Sequence, residues 1–257
     1  GLASLSLANG AVTIRDNGAA GGSFTYTVAN PGPGVGATAV TVSQDTSGAL
    51  DGTDNAEIII GNSSNSTING RGGSDIIVGG GGNDTISAGD GDDTIVWNAS
   101  GNSTDGRDTV DGGSNGTAGD TFVINGSSAA ETYTVYTRAD WVALGGSGNN
   151  GHTAANSTEI VITRGGTTNN SVIAELRDIE ELVINTGGGN DTVNVSGNFD
   201  ATHLNYNTIH INDADGGDTV DITSLTSDHR IVFNTDASGH VVGDLRPQDV
   251  VNGATID

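Results

Sequence analysis

A nine-residue repeat constrains this chain more than any other feature of its sequence. Gly79-Gly80-Gly81-Gly82-Asn83-Asp84-Thr85-Ile86-Ser87 reads as G-G-x-G-x-D-x-U-x, with U an apolar residue. Gly70 to Val78 before it and Ala88 to Val96 after it repeat the pattern with one departure each, Arg71 for the second Gly and Ala88 for the first. The first six residues make a turn, in which glycine supplies positive φ and bare carbonyls. The last three make a short strand with one inward apolar side chain, Ile77, Ile86 or Ile95. Two repeats complete one coil, so turns 18 residues apart stack on the same edge. The expected fold is all-β: a right-handed parallel β-roll or β-solenoid, preceded by a short antiparallel β segment.

Composition supports that reading. The chain has 42 Gly, 3 Pro and no Cys in 257 residues, and its acids are 26 Asp against 6 Glu. All eight basic residues are Arg. Helix formers such as Glu and Lys are scarce while turn residues abound, which excludes a mostly helical protein. With 33% hydrophobic and 4% aromatic residues, a thick packed core is not expected, and something besides burial must hold the coils together. The net charge of -24 disfavours nucleic acid and anionic membrane as partners and favours cations. No apolar run is long enough for membrane insertion. Without Cys there is neither a disulfide framework nor a thiolate metal site. No charged-then-apolar leader is visible at Gly1.

Three stretches are distinguished. Residues 1–50 alternate apolar and polar, as in Phe24-Thr25-Tyr26-Thr27-Val28 and Ala37-Thr38-Ala39-Val40-Thr41-Val42, with a turn at Asn30-Pro31-Gly32-Pro33-Gly34 between them. Residues 51–123 hold the repeat array, including decayed copies with Glu57 and Ser66 at the Asp position and later copies at Asp108 and Asp120. Residues 124–257 are expected to continue the solenoid in wider coils. A single helical turn is expected at Arg138 to Leu144, a loop at Gly145 to Gly151, and two isolated repeat copies at Asp191 and Asp218.

The repeat chemistry points to calcium. Calcium takes six to eight oxygen ligands from carboxylates and backbone carbonyls, and stacked Gly-x-Asp turns offer both. The candidate metal-binding residues are Gly70, Gly72, Asp75, Gly79, Gly80, Gly82, Asp84, Gly89, Asp90, Gly91, Asp93, Asp108, Asp120, Asp191 and Asp218. The expected stacked pairs are Glu57 with Asp75, Asp75 with Asp93, and Asp84 with Asp108. Stacking acids without a cation brings like charges together, whereas ligation turns that repulsion into folding free energy. The competing reading is a metal-free solenoid in which the Asp residues only close Asx-turns. Asp191 and Asp218 show no partner turn at the repeat spacing, which leaves both readings open there.

On these residues, the array from 70 to 96 resembles the hemolysin-type RTX calcium-binding region. That resemblance implies secretion from a bacterium by a type I system and folding outside the cell, where calcium is abundant. Asp178-Ile179-Glu180-Glu181-Leu182-Val183-Ile184-Asn185, Asp228-His229-Arg230-Ile231-Val232-Phe233 and Leu245-Arg246-Pro247-Gln248-Asp249-Val250 resemble the tails of very large alphaproteobacterial RTX proteins, some with an upstream animal-type haem peroxidase module. Residues 1–44 resemble the end of a cadherin-like repeat.

No catalytic constellation is legible. H-E-x-x-H is missing, and the G-x-S-x-G match at Gly112-Gly113-Ser114-Asn115-Gly116 lies in a Gly-rich turn of the repeat array, without the strand-to-helix context of a nucleophile elbow. The five histidines, His152, His203, His210, His229 and His240, lack metal-ligand spacing; His203 and His210 are the best pair, with a solvent or turn role favoured. Trp97 and Trp141 read as covers for the ends of the apolar core. The chain is therefore expected to be non-enzymatic, a calcium-binding structural module of a secreted cell-surface or matrix protein. Its partners would be calcium, other copies of itself or neighbouring domains. The alternatives are the secretion and stability tail of a large extracellular enzyme, such as a haem peroxidase, and a polysaccharide-binding solenoid.

Overall fold

The computed structural model describes residues 49–99, 105–145, 151–206, 209–213 and 217–227, and the backbone of strands at 5–8, 11–14, 24–28, 38–44, 231–234, 244–245 and 255–256. The turn at 30–34, the loop at 146–150, Asp228-His229-Arg230 and residues 246–250 lie outside the described residues. Two antiparallel pairs come first, β1 (Leu5–Ala8) with β2 (Ala11–Ile14) and β3 (Phe24–Val28) with β4 (Thr38–Gln44). Coiling begins at β5 (Ala49–Asp51) and runs through β6 (Glu57–Ile60), β7 (Thr67–Asn69), β8 (Ile76–Val78), β9 (Thr85–Gly91), β10 (Thr94–Asn98), β11 (Asp108–Asn115) and β12 (Thr121–Asn125). Odd and even strands of this series fall on opposite sheets, and each pairs in parallel with the strand one coil away. This is a parallel β-roll. The β4 strand joins it by pairing in parallel with β6, so the even-numbered sheet continues into the N-terminal stretch.

Why these residues make strands is plain from their faces. Each is a short β-branched run with one or two inward side chains, as in the exposed–buried–exposed pattern of Thr67-Ile68-Asn69. The inward residues stack in register along one sheet as Ile59, Ile77, Ile95, Phe122, Leu182 and Ile209. Leu50, Ile68, Ile86 and Val110 do the same on the other. Each such burial contributes roughly 1.5–3 kcal/mol, which is little for a coil of this length. Trp97, expected at an end of the core, lies inside it and in register with Ile124.

Later coils are longer and less regular. After β12 come β13 (Thr132–Thr137), α1 (Arg138–Leu144), β14 (Ile160–Arg164), β15 (Val172–Arg177) and β16 (Glu181–Gly187). β16 stacks on β12, while β15 stacks on β11. β14 runs antiparallel to both β13 and β15, so the run expected as an ordinary solenoid strand is instead the middle of an antiparallel insertion. The helical turn expected at 138–144 is α1, capped by the Thr137 hydroxyl, which accepts from the Asp140 N–H. Trp141 on α1 stacks on His152 with ring centroids 3.9 Å apart and packs with Tyr136, Val161 and Val172 in a second small core. Parallel coiling resumes with β17 (Thr192–Gly197), β18 (Ile209–Asp213), β19 (Thr219–Leu225) and β20 (Ile231–Asn234). The antiparallel β21 (Asp244–Leu245) and β22 (Thr255–Ile256) close the two sheets.

A polar ladder also crosses the long coil. The side-chain amides of Asn125, Asn185 and Asn212 each donate to the Oδ1 of the asparagine one coil before, Asn98, Asn125 and Asn185, at 2.9, 2.7 and 2.6 Å.

Candidate metal centre

The Asp of each repeat does two things at once. Its Oδ1 accepts the backbone N–H of the equivalent residue one coil earlier. Its Oδ2 is left over. On one edge, Asp75, Asp93 and Asp120 accept from the N–H groups of Glu57, Asp75 and Asp93, each at 2.7 Å, and the Glu180 Oε2 accepts from Asp120 at 2.7 Å. On the other edge, Asp84 accepts from Ser66 at 2.7 Å and Asp108 from Asp84 at 2.9 Å. The three pairs expected from the repeat spacing are therefore stacked. Asp93 reaches Asp120 and Asp120 reaches Glu180 across lengthened coils of 27 and 60 residues.

The remaining oxygens are buried without a partner: Oδ2 of Asp75, Asp84, Asp93 and Asp120, and Oε1 of Glu180. Burying a polar atom unpaired is costly, and a buried charge more so. Burial, with the charges of Asp93 and Glu57 adding to it and the Glu57 N–H opposing, pushes Asp75 up to about 7. Asp120 is likewise pushed by burial to about 7, and Asp108 to about 9. Asp84 and Asp93 are raised for the same first reason. Asp105, absent from the candidates drawn from the sequence, is buried beside the array and raised by burial to about 6; its Oδ2 accepts from the Asn98 N–H. These acids are not at ease as protein groups alone.

Glycine builds the space around them. A Cβ on Gly70 would lie 2.7 Å from the Asp75 Oδ2, and one on Gly112 would lie 2.5 Å from the Asp120 Oδ2. Gly79 cradles Asp84 in the same way. Gly80 and Gly89 have φ of 93° and 120°, and Arg71 holds the equivalent position at 75° despite its side chain. Gly82 and Gly91 occupy the second left-handed position of the turn, with φ of 105° and 151°. Its counterpart in the first repeat is Gly73, φ 100°, rather than the neighbouring Gly72, which instead bridges to Asp90. Asp90 is exposed and its Oδ1 accepts from the Ser114 hydroxyl. Asp92 is stabilised as an anion by the N–H groups of Gly119, Thr117 and Ala118, which hold its pKa low. The cradle, the oxygen-only donor set and the unpaired carboxylate oxygens suit a calcium ion.

Comparison with protein families matches the RTX calcium-binding nonapeptide repeat (4 copies) over residues 51–86 and 70–96. Residues 51–96 are RTX calcium-binding repeats. The ion of such RTX repeats is calcium. No curated protein and no solved structure matches the chain. Among the described residues, no helix is long and apolar enough to cross a membrane.

The isolated copies behave differently from the RTX array. Asp191 and Asp218, for which the repeat spacing offered no partner, stack on each other across 27 residues, and Asp191 also accepts from the Glu131 N–H. Asp191 keeps its Oδ2 buried outside these hydrogen bonds, as the array aspartates do, but its neighbours on this edge are supplied with protein partners. Both Asp218 oxygens are used, Oδ1 by the Asp191 N–H and Oδ2 by the Thr186 hydroxyl. Burial alone would raise Glu131, but the Ser127 N–H, the Tyr133 hydroxyl and Arg164 outweigh it and hold its pKa low. Glu175 follows the same pattern, with the Ala155 N–H, the Thr158 hydroxyl and Arg107 overcoming burial.

The histidines fall elsewhere. His210 Nε2 lies 2.7 Å from the Glu181 Oε1. His203 opens a 3-10 helix at His203–Tyr206, and its Nδ1 lies 2.9 Å from the Glu159 Oε1 and 3.1 Å from the Asp178 Oδ1. Burial opposes charge on the His203 ring, but the hydrogen bond to Glu159 and the charges of Glu159, Asp178 and Glu180 prevail and raise its pKa. Nothing in the sequence spacing joined these groups, since the antiparallel insertion brings them together from distant segments.

Proposed function

We propose that residues 51–123 form a calcium-gated folding unit that stiffens a secreted cell-surface or matrix protein. Asp75, Asp84, Asp93, Asp108 and Asp120 would supply carboxylate oxygens, with Glu57 and Glu180 at the ends of one ladder and the glycine carbonyls of the turns completing the shell. The observation that carries this reading is the register of unpartnered Oδ2 atoms at Asp75, Asp84, Asp93 and Asp120. Calcium supplies positive charge where the fold has stacked negative charge, and its binding free energy becomes folding free energy. The same dependence would keep the array unfolded where calcium is scarce and fold it outside the cell. Asp191 and Asp218 belong to the same class of turn, but the Thr186 hydroxyl and the Arg164–Glu131 pair give that edge an alternative to the ion.

The test is a far-UV circular dichroism titration of the chelated chain with calcium, with magnesium as control and Asp93→Asn alongside. The expected result is a cooperative gain of β signal in calcium alone, with Asp93→Asn needing about tenfold more calcium, equivalent to about 1.4 kcal/mol. A β spectrum that ignores the chelator would reduce the Gly-Asp turns to structural devices and defeat the proposal.

A further inference from the structure

The antiparallel insertion assembles a second group of candidate ligands that has no part in the nonapeptide turns. Glu159 precedes β14, Asp178 follows β15, and His203 begins the 3-10 helix after β17. One ligand atom from each lies within 4.8 Å of the others. The His203 Nδ1 is 2.9 and 3.1 Å from the two Glu159 oxygens and 3.1 Å from the Asp178 Oδ1. Ligand atoms bound to one ion at about 2.0–2.2 Å sit roughly 3–3.5 Å from one another, so His203 is already near ligand-to-ligand spacing from both carboxylates. Arg177 Nε takes the other Asp178 oxygen at 3.3 Å and fixes the carboxylate, leaving Oδ1 towards His203. Asp178 itself is held at φ 50°.

An independent observation comes from Glu180. Its residue is only 7% exposed, its Oε1 is buried without a partner, and it lines a cleft of about 530 Å³ together with His203 and Asp200. A buried carboxylate therefore lines the same cleft as the imidazole, and its negative charge adds to those of Glu159 and Asp178 around His203. An imidazole nitrogen beside carboxylates is the wrong set for calcium or magnesium, which take oxygen, and the right set for first-row divalent ions such as zinc, cobalt or manganese.

We infer that Glu159, Asp178 and His203 bind one divalent transition-metal ion at a site separate from the calcium turns, in the negative field of the neighbouring Glu180. The ion would tie β14, β15 and the segment after β17 together at the place where parallel coiling is interrupted. Its positive charge would also offset the nearby Glu180 carboxylate.

The experiment uses the full, untagged chain in saturating calcium, titrated with cobalt(II) and followed by visible absorption, then challenged with zinc. The expected result is one cobalt per chain with a ligand-field band, displaced by zinc and not by further calcium or magnesium. His203→Asn and Asp178→Asn should each weaken cobalt binding at least tenfold while the β spectrum in calcium is unchanged; Asn suits Asp178 because it tolerates positive φ. No stoichiometric band, displacement by calcium, or cobalt binding equally tight in both variants would overturn the site and leave His203 as the cationic partner of two carboxylates.

Discussion

Two regions of this molecule bury stacked acids and solve the resulting problem in opposite ways. In the second region, around 131–187, arginine is the counter-ion: Arg164 pairs with Glu131, and Arg107, reaching across from the edge of the array, pairs with Glu175; both carboxyls are held below their usual range. In the RTX array Asp75, Asp84, Asp93 and Asp120 accept a backbone N–H on one oxygen and no hydrogen bond on the other, and their carboxyls, with that of Asp108, are held above it. The backbone stacking is similar, with Asp191 accepting from Glu131 as Asp93 accepts from Asp75. What differs is where the positive charge comes from. On the proposed reading, a carboxylate paired with arginine folds without help, while one that leaves the charge to an ion folds only where the ion is present.

The largest effect that sharpens this contrast is a reversal of pH dependence. The folded-state pKa values of Asp75, Asp108 and Asp120, at about 7, 9 and 7, stand above the ordinary aspartate value of about 3.9. Between those limits the folded array holds protons that the unfolded chain has released, so calcium-free stability is greatest below about pH 4 and falls as pH rises through 7 to 9. Calcium needs the carboxylates deprotonated, so its stabilisation grows over the same window. Urea melts are expected to show the chelated chain on the order of several kcal/mol more stable at pH 5 than at pH 8, with the order reversed in calcium. The depressed Glu131 and Glu175 carry the opposite sign: their contribution is present above about pH 4.3 and is lost as pH falls through their folded values. The same slope with and without calcium would break the contrast.

A smaller effect isolates the arginine region. Arg164→Met strands the Glu131 carboxylate and is expected to cost about 3 kcal/mol, because breaking one side of a buried pair leaves an uncompensated charge. Thermal or urea denaturation in saturating calcium checks it, and calcium should not rescue the loss. Smallest is Asn125→Ala. It removes two of the three hydrogen bonds of the asparagine ladder and should cost about 1 kcal/mol, with or without calcium, since the groups are neutral and only partly buried.

The array was legible because its period is local. Nine residues fix the turn, the strand and the inward Ile77, Ile86 and Ile95; the spacing places Asp75 against Asp93, and Asp84 against Asp108 once the six extra residues from Trp97 to Asn102 are set aside. The long coil was not, because nothing local announces that Phe122 pairs with Leu182 or that β14 runs backwards. For the same reason Glu180 escaped notice as the rung above Asp120, and Glu131 as the rung below Asp191. Both are glutamates outside any nonapeptide, brought into the ladder only by the 60-residue excursion. Asp105 was missed because the residues around it do not keep the repeat frame. Gly73 was missed for a plainer reason: one position separates it from Gly72, and only its φ of 100° identifies it as the turn glycine.

Segment-resolved hydrogen exchange of the full chain, in calcium and in chelator, tests the central claim most directly. The account predicts that backbone amides of 51–123 are protected in calcium and exchange freely in chelator, while those of β13 to β17 keep most of their protection in both. Equal protection of 51–123 in the two conditions would contradict it, and show that the stacked aspartates hold their coils without the ion.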